Sequence, residues 1–325
     1  MKLPGAATGD GTERYRKRFE GRIPREHFCD AQGLSLSSIG TALKELATKG
    51  FNRDEIVVAT KGGFIPYDGA PPADPRRYLD DTFFKPGVAS AADIVSGCHC
   101  MTPKYLLDQL ECSLRNLDLE CIDIYYVHNP ETQLGKIPRE DFNDRLLKAF
   151  ETLESAVAAG KIKMYGTATW NGYRNPRDAR DYLSLAEVVE LAAKAGGTNH
   201  HFKVIQLPLN LGMTEALSLS NQTVKRKNST ILEAAQALGI TVMCSASILQ
   251  GQLTRNLPEV ISETFQCLET DGQRALQFVR STPGVTTALV GMKQVKHVEE
   301  NLKTAGVAPA SWEQYAKLFQ GSDAN

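Results

Sequence analysis

Short β-branched runs that recur between helical stretches constrain this chain more than any other feature. IVVAT at residues 56–60 and IDIYYV at residues 122–127 are apolar on both faces, the pattern of a strand buried in a parallel sheet. Further runs follow at 163–167, 204–209, 241–245 and 286–290. Helical segments at 102–118, 142–159, 185–195, 230–238, 272–281 and 295–305 separate them. In the first of these, Leu106, Leu107, Leu110, Leu114 and Leu117 share a face after a Thr102-Pro103 start. Gly160, Gly196-Gly197 and Gly239 read as helix stops. Residues 34–39 (LSLSSI) read as a first strand, and residues 41–47 (TALKELA) as a helix ended at Lys49-Gly50. Parallel strands need crossover connections, so the alternation gives an α/β chain. No GxGxxG follows an early strand, which removes the fingerprint of the doubly wound dinucleotide fold. The number and spacing of the units favour a (β/α)8 barrel of the TIM type.

Composition narrows the partners. The 325 residues carry a net charge of −1, so no strong field attracts nucleic acid or an anionic membrane. No apolar run reaches the length of a membrane span, and the N-terminus lacks the apolar stretch of a secretory signal. The seven cysteines are odd in number and form no CxxC pair, which points to reduced thiols in the cytoplasm. Cys98-His99-Cys100 is the one local cluster that suggests a metal, but its spacing is wrong and no metal is expected. Residues 1–33 read as a basic leader or arm and residues 34–325 as the barrel. Residues 66–96 form a long connection rich in proline and glycine, of the kind that covers a site.

In a barrel the residues just after each strand line the active face. That rule selects Lys61, His128, Thr169 to Asn171, Asn210, residues 245–251 and residues 291–293. A lysine there supplies positive charge to a neighbouring acid, and a histidine can orient a carbonyl or move a proton. Lys61 and His128 end two consecutive apolar strands, so they should point into one pocket if the strands are neighbours.

Six segments then stand out together: RDEIVVATKGGF, SLRNLDLECIDIYYVHNPE, KIKMYGTATW, VIQLPLNL, SASILQGQL and ALVGMKQVKHVEENL. In this order the chain resembles the aldo-keto reductases, from Thr41 to the C-terminal helices. The resemblance implies a (β/α)8 barrel that binds NADPH and reduces aldehydes or ketones by hydride transfer. It implies a tetrad of Asp, Tyr, Lys and His, in which tyrosine protonates the carbonyl oxygen, lysine paired with aspartate makes it more acidic, and histidine orients the carbonyl. Lys61 matches the lysine and His128 the histidine. The Asp and Tyr belong to a second-strand stretch like DTAxxY, which is not found here. One helix-strand unit is missing near Gly40-Thr41, so the barrel is expected to be incomplete. Tyr15, Asp30 and Tyr67 are the nearby residues that could stand in.

The same resemblance assigns cofactor residues. Gln206 matches a glutamine that holds the nicotinamide amide. The Ser-Asn pair beside it falls on Ala168-Thr169, with Trp170 next to Thr169. Ser245, Gly251 and Leu253 match the segment under the pyrophosphate. Gly291 and Lys293 open the phosphate loop, and Glu300-Asn301 match the adenine-binding pair, with His297 where arginine is common. Lys293 and Lys296 favour NADP over NAD. The expected function is an NADP-dependent oxidoreductase acting on a small-molecule carbonyl. The alternative is a catalytically inactive relative that binds nucleotide or a partner protein. A metal-dependent hydrolase would need converging ligands at strand ends, and His200-His201 instead precede a strand.

Overall fold

The computed structural model of the chain describes residues 32–67 and 71–319. It forms two compact units: one takes in residues up to Gly172 together with Glu187–Val204, the other Tyr173–Ala186 and the residues from Ile205 on.

The first unit opens with helix α1 (Gln32–Thr48). This corrects the expected strand at residues 34–39, because one helix runs through them. Leu34 and Leu36 alternate as strand residues do, but Leu36, Gly40, Leu43 and Leu46 recur at helical spacing, and that longer period wins. Gly40 is the contact point. A Cβ there would stand 2.7 Å from the Leu117 carbonyl oxygen, so only glycine admits the backbone of the next helix. The leader, with Tyr15 and Asp30, lies almost wholly outside the described residues.

Strand β1 (Ala59–Gly62) follows, then helix α2 (Pro103–Leu117), strand β2 (Ile122–His128), helix α3 (Arg139–Ala158), strand β3 (Ile162–Ala168) and helix α4 (Leu185–Gly196). β1 pairs with β2 and β2 with β3, both in parallel. Ile122 to Val127 are all buried, as expected of a strand covered on both sides. β1 differs: Val57, on the face that continues to Lys61, is 67% exposed. The apolar run read as a two-sided core strand therefore has one uncovered face. α2 starts at Pro103 and buries Leu106, Leu110, Leu114 and Leu117, while Leu107 is exposed. α3 starts three residues before Phe142, because Glu140 and Asp141 suit the positive end of a helix.

Residues 66–96 do not form an open loop. Tyr78 and Phe83 pack edge-on at 6.1 Å, and Phe83 lies against Tyr105 at 5.5 Å. Ile65, Phe83, Cys100 and Tyr105 make a small core, with Tyr67 and Tyr78 against it.

The N-terminal ends of the strands are tied by charge. Asp123 accepts from Arg53 Nη2 at 2.6 Å and the Val58 N–H at 2.8 Å, and pairs with Lys163 Nζ at 2.9 Å. Burial alone would raise its pKa, but these three donors outweigh it and hold the carboxyl below the usual range. A lowered pKa adds stability above the unfolded value, about 3.9, that is lost as pH falls through the folded value. Asp123→Asn is expected to cost about 2–3 kcal/mol at pH 7. Urea unfolding at a series of pH values should show the gap to wild type closing below about pH 4. A gap that persists at pH 3 would exclude this carboxylate as its source.

In the second unit strand β4 (Phe202–Pro208), which begins in the first, is followed by a hairpin of β5 (Gln222–Val224) and β6 (Lys227–Ser229). Helix α5 (Ile231–Leu238) has Thr230 as its N-cap and ends at Gly239, which takes the left-handed conformation at φ 69°. Strand β7 (Thr241–Ser245), helix α6 (Asp271–Ser281), strand β8 (Thr287–Ala288) and helix α7 (Val295–Ala305) complete the series. β7 pairs in parallel with β8. The described residues thus hold six strands of the α/β series, where the sequence suggested seven: the region expected to hold the first is helix α1.

Candidate functional site

Pleating decides which side chains at the ends of β1 and β2 share a face. Lys61 pairs with Tyr126, and His128 lies two residues beyond Tyr126, so Lys61, Tyr126 and His128 project to one side. Gly62, Tyr125 and Val127 project to the other, where the Tyr125 hydroxyl donates to the Leu106 carbonyl at 3.3 Å. Lys61 and His128 therefore lie on one face of paired strands.

His128 is held closely. Phe64 meets its ring edge-on at 5.0 Å, and its Nδ1 is buried without a hydrogen-bond partner. Burial pushes its pKa well below the ordinary value, and the positive charge of Lys61 pushes the same way. The ring is therefore neutral at pH 7 and has one N–H to donate. Its main-chain oxygen lies 2.7 Å from His99 Nε2. His99 is fully buried, and Gln133 Nε2 reaches its Nδ1 at 3.1 Å. Gln133 Oε1 in turn accepts from Arg145 Nη1 at 3.0 Å. The Cys98-His99-Cys100 cluster thus has both of its imidazole nitrogens engaged. Among the described residues no three His, Cys, Asp or Glu side chains could hold a metal.

Past His128 the chain turns sharply. Asn129 is left-handed at φ 42°, and its N–H donates to the Ala168 carbonyl at 2.6 Å. Glu131, buried, then grips the turn after β3. Its Oε1 accepts from the N–H groups of Trp170 at 2.7 Å, Asn171 at 3.0 Å and Gly172 at 3.3 Å. Burial raises the pKa of Glu131, and these donors oppose the rise. The grip fixes the turn that contains Thr169 and Trp170. Thr169 is buried, and its hydroxyl has no hydrogen-bond partner. The roles of Glu131, Gln133 and Arg145 escaped the sequence reading. The sole signal was Glu131 standing in the segment HNPE.

Tyr67 packs against Tyr78 at 5.4 Å, in the core of residues 66–96. His200 and His201 serve elsewhere: His201 Nδ1 contacts Glu154 Oε2 at 2.8 Å, and the same carboxylate accepts from the Tyr165 hydroxyl.

In the second unit Gln206 lies buried on β4, and Ser245 ends β7. Asn210 Nδ2 donates to the Ala246 carbonyl at 2.9 Å, and Ser247 Oγ to the Leu289 carbonyl at 2.7 Å. The turn between them carries left-handed backbone at Ala246, Leu249, Gln250 and Gly251. Such strain needs a surrounding structure that over-determines it, and it concentrates at binding turns. Leu253 is buried beneath it. Gly291 and Lys293 follow β8 in an exposed stretch, and a Cβ at Gly291 would meet nothing within 4 Å. His297, Glu300 and Asn301 lie on α7. Glu300 Oε1 accepts from the Thr270 hydroxyl at 2.5 Å, which ties α7 to the start of α6.

A model of the aldo/keto reductase family matches residues 28–265. The match starts upstream of Thr41, where the resemblance was placed, and takes in Asp30; it stops short of Gly291. "Aldo-keto reductase yakc [NADP(+)]" of Schizosaccharomyces pombe is 25% identical over 61% of this chain and 57% of its own. "Probable voltage-gated potassium channel subunit beta" of Arabidopsis thaliana is 21% identical over 86% of this chain and 76% of its own. Among solved structures, the holo form of aldo-keto reductase AKR11C1 from Bacillus halodurans superposes with a TM-score of 0.55 at 19% identity, over 89% of this chain and 78% of that one. The fold is the (β/α)8 barrel type, incomplete in the described residues. With a family match across more than two hundred residues and a shared fold, the chain belongs to the aldo/keto reductase family.

Proposed function

We propose that this protein is an NADP-dependent oxidoreductase that reduces a small aldehyde or ketone, with Lys61 and His128 at the reacting carbonyl. The observation that carries the reading is the shared face of Lys61 and a neutral, half-buried His128 toward the C-terminal ends of two paired strands. NADPH, when bound, supplies the hydride. A neutral imidazole donates a hydrogen bond to the carbonyl oxygen without surrendering its proton. The Lys61 ammonium stabilises the negative charge that develops there. Because the pKa of His128 is lowered well below its ordinary value, the ring is neutral at pH 7 and above.

Several features fit the cofactor. The unpartnered Thr169 hydroxyl stands in the turn assigned to the nicotinamide amide, in place of serine and asparagine. The left-handed turn ending at Gly251 allows close backbone approach to a pyrophosphate. Lys293 and Lys296 are exposed beside the start of α7 and suit a 2′-phosphate. The alkoxide that hydride transfer leaves takes its proton from solvent; the family match includes Asp30, and Tyr15 lies outside it. The second reading is a relative that binds nucleotide or a partner without turnover. It is favoured by the packing of Tyr67 into its own loop core and by the name of the Arabidopsis relative. No described helix is long and apolar enough to cross a membrane. The proposed location is the cytoplasm, where thiols stay reduced.

Titration with NADPH followed by intrinsic fluorescence, then addition of a carbonyl panel, separates the readings. Saturable binding with NADPH oxidation supports the reductase. Binding without oxidation supports the inactive relative. A folded sample that binds neither NADPH nor NADH would overturn both.

A further inference from the structure

We infer that His99 is a positioning residue for His128, holding the His128 carbonyl through its own Nε2–H, with Gln133 and Arg145 fixing the tautomer that makes this bond possible. The inference rests on the proposed role of His128 at the reacting carbonyl.

The tautomer follows from the partners. The Gln133 amide accepts from Arg145 through Oε1, so its NH2 faces His99 and can only donate. His99 Nδ1 is therefore the acceptor. Its proton sits on Nε2, 2.7 Å from the His128 oxygen. Both ring nitrogens of a fully buried imidazole are thereby satisfied. Burial also pushes the pKa of His99 down to about 4, in keeping with the neutral ring.

The bond acts where β2 stops. On its C-terminal side the His128 carbonyl is held by His99 and the Asn129 N–H by the Ala168 carbonyl, so the peptide after His128 is pinned at both ends. Phe64 lies edge-on to both imidazoles, at 5.2 Å from His99 and 5.0 Å from His128, and limits where either ring can swing. Gly63 completes the arrangement. At φ 144° its missing Cβ would stand 2.8 Å from the His128 oxygen and 3.0 Å from His99 Nε2. A side chain there would part the two histidines.

His99→Phe keeps a ring against Phe64 and removes both hydrogen bonds. His99→Gln keeps an N–H that can reach the His128 oxygen. Gln133→Leu leaves His99 in place and frees its tautomer. Long-range proton–nitrogen NMR of histidine-labelled full-length protein should show His99 protonated at Nε2 alone, unchanged from pH 5.5 to 8.5. In His99→Phe the His128 ring resonances should move. With a substrate from the carbonyl panel, kcat should fall by about ten- to a hundredfold while the NADPH Kd stays within about twofold. His99→Gln should recover part of the loss, and Gln133→Leu should give a smaller change in the same direction. A His99 proton on Nδ1, His128 resonances unmoved by His99→Phe, or a fall in rate no larger than the unfolded fraction would overturn the inference. A wild type that turns over no carbonyl fails the reductase reading alone, and the NMR of His99 and His128 still decides this one.

Discussion

Gly166→Ala is expected to cost about 4 kcal/mol or more, out of the 5–15 kcal/mol that holds a typical domain folded. A Cβ at Gly166 would stand 1.8 Å from the Val204 carbonyl oxygen, 2.8 Å from its carbon and 2.9 Å from Val204 Cγ1. Neither of the first two is the end of a flexible side chain that could turn away. The main chain of β4 would have to retreat, and a shift there breaks packing that tolerates small changes poorly. Gly166 also pairs with Tyr126, the residue beside Lys61. The damage therefore starts in the row of the sheet that carries Lys61, two residues before the row of His128. Gly160→Ala is the control. Gly160 has φ 72° and nothing within 4 Å of a Cβ, so only the left-handed backbone is strained, at about 1 kcal/mol. Urea unfolding of the two variants beside wild type reads the difference. A Gly166→Ala protein with a midpoint near that of Gly160→Ala would show that β4 is not packed as described.

How far the sequence could be read follows from where each signal comes from. β2 was legible because five of six consecutive positions, all but Asp123, are apolar or tyrosine and call for burial on both sides. Gly239 was legible because a left-handed helix end favours glycine locally. The shared face of Lys61 and His128 follows from pairing alone, since β1 and β2 are neighbours in the sheet. Residues 34–39 misled because Leu34 and Leu36 mimic a strand for three residues. The helix appears only when Gly40 is counted as a packing position, which needs the carbonyl of Leu117 to be known. The exposed Val57 could not be read either. An apolar run reports what a strand could bury, while coverage depends on neighbours contributed from elsewhere in the chain. His99 was noticed for its cysteines and not for its bonds, since its partners Gln133 and His128 lie on segments distant in sequence. The turn held by Glu131 has the same cause: three peptide N–H groups converge on one oxygen only after β2 and β3 have paired.

Lys61→Met tests whether the residues on that face work together. Methionine keeps most of the lysine stem and removes its charge. If the ammonium stabilises charge on the carbonyl oxygen, kcat/KM should fall by about 10²–10³-fold, the loss usual for a group aimed at a developing oxyanion. The NADPH Kd should hold, because the residues assigned to pyrophosphate and adenine are Ser245, Gly251, Gly291 and Glu300, and none depends on Lys61. A second readout is independent of turnover. The Lys61 charge is one of the causes that depress His128, after burial. Removing a positive neighbour favours the protonated ring, so the His128 pKa should rise while remaining below its ordinary value, since burial persists. NMR titration of the His128 ring in Lys61→Met and wild type would show that rise. An unchanged rate with a raised pKa would leave Lys61 near His128 but outside the reaction. A lost rate with an unmoved His128 would mean that Lys61 acts on the carbonyl from a position its charge does not share with the imidazole. Only the loss of rate together with the rise in pKa fits both groups acting on one oxygen from the ends of β1 and β2.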